Sequence, residues 1–76
     1  MESRMTVGIA LLKAALLREK AKEATASSNL LAIITNPVGI GEHTLFDEEI
    51  DRHISSITDA RDRMEVIQEI LDEYDP

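Results

Sequence analysis

"SSNLLAIIT", Ser27 to Thr35, decides the fold of this 76-residue chain. Its β-branched residues read locally as a strand, while its phase relative to the preceding residues reads as the end of a long helix. Counting favours the helix. Val7, Ala10, Ala14, Leu17, Ala21, Ala24, Ser28 and Leu31 recur at alternating steps of three and four, straight through the polar "TASSN" that would otherwise suggest a linker. A six-residue strand would also find no partner strand elsewhere in the chain, leaving its backbone groups unpaired. The spacing therefore predicts one helix from about Ser3 to about Thr35, with Gly8 and Ser27-Ser28 as its weak points.

Asn36-Pro37 ends that helix, because proline cannot donate the next helical hydrogen bond and drives the residue before it out of helical geometry. A second ladder begins at Phe46 and continues through Ile50, Ile57, Ala60, Met64, Ile67, Leu71 and Tyr74, with one skipped position at His53. Thr44 stands where a hydroxyl could cap free amides, and Asp47-Glu48-Glu49 would complement a positive helix end. The expectation is a helix from about 44 to 75, joined to the first by a loop over 36–43. At 1.5 Å per residue the helices are about 48 and 46 Å long, which suits an antiparallel hairpin. The fold expected is all-α, a single helical hairpin. Folded about its loop, it would pair Leu31 with Ile50, Ala24 with Ile57, Leu17 with Met64 and Val7 with Tyr74. Ser28 would then face His53 as a polar position in the seam.

The loop "NPVGIGEH" invites a functional reading. Gly39-Ile40-Gly41 is neither a GxGxxG fingerprint nor a Walker loop, and a dehydrogenase strand ending in "TNPV" would need a parallel sheet far larger than this chain. A connector is the simpler reading: Asn36, Gly39 and Gly41 allow positive φ, Pro37 stiffens the turn, and His43 caps or hydrogen-bonds the loop. At this loop the chain resembles small uncharacterised proteins of tailed phages, particularly marine ones, in which an "NPVGIGEH"-like turn precedes an acidic helix. Those proteins commonly continue with Pro then Asp, where this chain has Thr44 and Leu45. The resemblance implies a helical hairpin of unknown role and brings no catalytic residues with it.

Composition narrows the classes further. Residues 1–35 carry five basic and three acidic groups, residues 36–76 three basic and twelve acidic. So acidic a chain, without basic stripes or interleaved aromatics, is not expected to bind nucleic acid directly or to seek an anionic membrane. It has no cysteine, which removes disulfides and thiolate metal sites and fits a cytoplasmic protein. Met5 to Leu17 is too short to span a bilayer, and Lys13 together with "REKAKE" spoils it as a signal peptide. His43 and His53 lack a compact metal-ligand spacing, the carboxylates of the second helix read as a solvated face, and no serine has a base and orienter. No cofactor, metal or enzymatic activity is expected.

Apolar residues also flank the two ladders. Met5, Ile9, Leu12, Leu16, Ile54, Val66 and Ile70 are expected to form a dimer face, giving a homodimeric four-helix bundle. His53, if buried there, would weaken assembly below about pH 6. The function these features suggest is a protein-protein interaction or scaffolding module. The alternative is an acidic regulatory protein whose second helix binds a basic, nucleic-acid-binding partner.

Overall fold

The computed structural model describes residues 3–35 and 43–76, the first three of the latter by backbone alone. Two helices account for almost all of them: α1, Arg4–Thr35, and α2, His43–Tyr74, each of 32 residues. There is no strand among the described residues, and "SSNLLAIIT" is helical throughout. Ser3 caps α1, its Oγ accepting a hydrogen bond from the Thr6 amide at 3.1 Å and lying 2.9 Å from Thr6 Oγ1. This satisfies one of the amides that a helix start leaves open.

The helices run antiparallel as a hairpin. Glu23 of α1 pairs with Arg61 of α2, and Lys13 with Asp75 at 3.0 Å, so positions earlier in α1 meet positions later in α2. The result is a rod of 57 × 18 × 15 Å. α2 begins at His43. His43 is therefore the first helical residue rather than part of the loop, and Thr44 lies inside the first turn rather than ahead of it. Asp47 to Glu49 consequently sit beyond that turn, where the helix-end field has largely fallen away. The remaining loop residues singled out above, Asn36, Pro37, Gly39 and Gly41, lie outside the described residues.

α2 presents the anticipated ladder to α1. Ala60 and Leu71 are buried, and Phe46, Ile50, His53, Ile57, Met64 and Ile67 are half-buried, while Tyr74 at the end is exposed. α1 differs from expectation. Its anticipated seam faces solvent: Val7, Ala10, Leu17, Ala21, Ala24, Ser28 and Leu31 are all exposed, and only Ala14 is half-buried. The side turned to α2 is another ladder, Gly8, Leu12, Ala15, Glu19, Glu23, Ala26, Leu30 and Ile33, every member buried or half-buried.

The physical reason is volume. Each ladder holds three large apolar residues, Val7, Leu17 and Leu31 outward and Leu12, Leu30 and Ile33 inward, but the inward side also covers Ile9 and Leu16, half-buried beside its ladder. Covering a leucine or isoleucine is worth about 1.5 to 3 kcal/mol, far more than covering a methyl group. The two acids that interrupt the inward ladder find cations, Glu23 through Arg61 and Glu19 through Lys22. The register moves with the rotation. Equidistant pairing about the loop would set Glu23 opposite Thr58 and Lys13 opposite Gln68, yet their partners are Arg61 and Asp75, one to two turns further along α2.

The core that results is thin. Among the described residues Ala26, Ala60 and Leu71 are the buried apolar side chains, and no large side chain is fully enclosed.

Candidate interaction surfaces

Three surfaces follow from this geometry. The first is a pair of open clefts on one broad side of the hairpin. One lies between Lys22, Ala26 and Asn29 of α1 and Arg52, His53 and Ser56 of α2; the other between Ala15 and Arg18 of α1 and Arg63, Val66 and Ile67 of α2. Glu19 borders both clefts. It is 5% exposed. One carboxylate oxygen accepts from Lys22 Nζ at 3.1 Å, and Oε1 is buried without a hydrogen bond among the described residues. A buried carboxylate half-satisfied in this way costs stability, since the missing bond has no replacement in water. Sequence reasoning passed over Glu19. The signal was present: Glu19 and Glu23 are one helical turn apart and continue the line of Leu12 and Leu16.

His53 sits beside this cleft with its side chain 12% exposed. The expected Ser28–His53 pairing does not form, because the rotation of α1 leaves Ser28 exposed. The imidazole Nε2 lies instead 3.6 Å from a Glu49 carboxylate oxygen, one turn back along α2. Among the described residues no group of three or more His, Asp or Glu side chains could hold a metal ion.

The second surface is the outward side of α2. Asp51, Ser55, Asp62, Glu65, Glu69 and Glu73 follow one another at helical spacing and are all exposed. The third is the outward side of α1, the exposed ladder of Val7, Ala10, Leu17, Ala21, Ala24 and Leu31, in which no position is charged. Opposite long sides of the rod are thus chemically unlike, one lined with carboxylates and the other with an uncharged ladder edged by Lys13 and Lys20 on one flank and Arg18 on the other.

The residues assigned to a dimer face do not share one surface. Ile9, Leu12, Leu16 and Ile70 are half-buried within the single chain. Met5, Ile54 and Val66 remain exposed at 57, 47 and 54%. Val66 lines the second cleft; Met5 and Ile54 border neither cleft. The assignment split because three of these residues belong to the inward side of α1. No helix among the described residues is long and apolar enough to cross a membrane. Compared with known proteins, the chain matches no family model, no curated protein and no solved structure.

Proposed function

We propose that this chain is a small protein-protein interaction or scaffolding module, cytoplasmic and without enzymatic activity, whose working form is a homodimer of hairpins, a four-helix bundle. The observation that carries this reading is the thin core: Ala26, Ala60 and Leu71 are the buried apolar residues among those described, while Leu11, Leu17, Leu31 and Ile34 are each about 60% exposed. A domain this small usually needs a disulfide, a metal or a partner to outweigh chain entropy, and the chain has no cysteine. The resemblance of "NPVGIGEH" to the turn of small tailed-phage proteins supports a phage-encoded module. Sedimentation equilibrium at micromolar concentration is the direct test. Twice the 8.5 kDa chain mass is expected, and a single-chain mass with a fully helical spectrum would refute the dimer.

A second reading has its own observation. The exposed carboxylates along the outward side of α2 suit a regulatory role in which that helix occupies the cationic surface of a nucleic-acid-binding protein. Capture of such a partner would weaken steeply as salt rises. Capture that is indifferent to salt would speak against it.

A further inference from the structure

Glu19 borders both clefts and is buried in the hairpin with one oxygen unused. It is 5% exposed, Lys22 holds Oε2 at 3.1 Å, and Oε1 has no hydrogen bond among the described residues. A buried acceptor left open in this way calls for a donor. The cleft it shares with His53 holds about 490 Å³, within the range of small-ligand sites. Ala26 and Ala60, 5% and 1% exposed, line it. Their methyl groups leave room that a leucine at either position would fill.

We infer that this cleft receives the arginine side chain of a basic partner segment, with the guanidinium on Glu19 Oε1 and the aliphatic stem along Ala26 and Ala60. The inference rests on the interaction-module reading above and deepens it by naming the chemistry of the partner. Charge decides the class of occupant. The two cations lining the cleft, Lys22 and Arg52, already hold Glu19 and Glu49, and Asp59 holds Arg63 at 3.3 Å. The Ser56 hydroxyl is spent as well, donating to the Arg52 carbonyl at 3.1 Å. An entering anion would have to break one of these pairs, whereas a cationic donor finds Oε1 open. Lys22 compensates the buried carboxylate only in part, since its own side chain is 60% exposed. Arginine suits the place better than lysine, because a guanidinium is more weakly hydrated than an ammonium and keeps its charge when desolvated. The terminal torsion of a glutamate is soft, so Oε1 turns toward an incoming donor at little cost. The site is separate from the outward carboxylates of α2, of which Glu65, Glu69 and Glu73 border neither cleft.

Titration of the isotope-labelled chain with N-acetyl-arginine methylamide, followed by NMR at about 0.15 M salt, tests this. Amide shifts should move around Ala26, Asn29, Ser56 and Ala60, and the neutral isostere N-acetyl-citrulline methylamide should move none of them. Glu19→Leu should weaken binding by about tenfold or more, the loss expected for one hydrogen bond to a charged group. The same variant should raise the urea midpoint, so that lost binding is not lost folding. Glu69→Gln should leave binding within about twofold, as for an exposed charge outside the site. Equal binding of the citrulline compound, undiminished binding by Glu19→Leu, or shifts confined to the outward side of α2 would each overturn the inference. Tighter binding of spermine than of the arginine compound would make the occupant a free polyamine and overturn the partner segment. Should Glu19→Leu lose helicity, Glu19→Gln, which keeps the shape, decides by the same loss. A chain that is monomeric by sedimentation yet binds at the cleft would refute the homodimer and leave this inference standing; a dimeric chain without cleft shifts would do the reverse.

Discussion

Glu19 is a carboxylate in a place suited to a leucine. It occupies the centre of the ladder that α1 turns to α2, is 5% exposed, and has one oxygen bonded to Lys22 and the other to nothing among the described residues. Lys22 is itself 60% exposed, so the ion pair is screened on one side and offsets little of the cost of burial. Glu19→Leu should therefore raise stability, by about 1 to 4 kcal/mol if the side chain fills the same volume. Urea denaturation followed by helicity measures it, and a lower midpoint would mean that the carboxylate makes a stabilising bond. Ser3 shows the opposite situation, a polar side chain whose local backbone bond closes a helix start. Its spacing to Thr6 was there to be read, but a serine three residues before a threonine is common and becomes a cap only once the helix start is known.

At the scale of the element, α2 was legible and α1 only half so, for a reason that lies in their patterns. α2 is one-sided, with Ile57, Ala60, Met64, Ile67 and Leu71 on one stripe and Asp62, Glu65, Glu69 and Glu73 opposite, so periodicity alone orients it. α1 carries two apolar ladders on opposite sides. The more regular one, free of charge, is the one left in solvent. The inward ladder holds Glu19 and Glu23, which look like breaks until Lys22 and Arg61 are seen beside them. Hydropathy ranks continuity, whereas packing rewards volume and can absorb a paired acid. The helical state of Leu30 to Ile34 followed from the period, which both ladders share. Gly8 gives a test that concerns α1 alone. A Cβ added there meets nothing within 4 Å, so Gly8→Ala should stabilise the helix by about 1 kcal/mol through lost chain entropy in the unfolded state. A thermal midpoint that fails to rise would mean that the helix start is not formed in solution.

For the whole molecule, salt separates the two interaction surfaces. The outward side of α1 carries an apolar ladder edged by Lys13, Arg18 and Lys20, so a homodimer formed through that side would bring cations together at its rim. Raising salt from about 0.05 to 0.5 M shortens the screening length severalfold and should tighten the dimer or leave it unchanged, as read by the dissociation constant from sedimentation. Marked loosening would indicate that acids of α2 contact cations of the other copy. The same series applied to a basic partner on α2 should run the other way.

The pairing of Lys13 with Asp75 brings the outgoing chain back beside the incoming one. Anything attached ahead of α1 or after α2 thus leaves from the same tip of a 57 Å rod. Two such rods laid head to tail would point those tips in opposite directions. That is the geometry of a strut, able to hold two attached bodies apart at a set spacing.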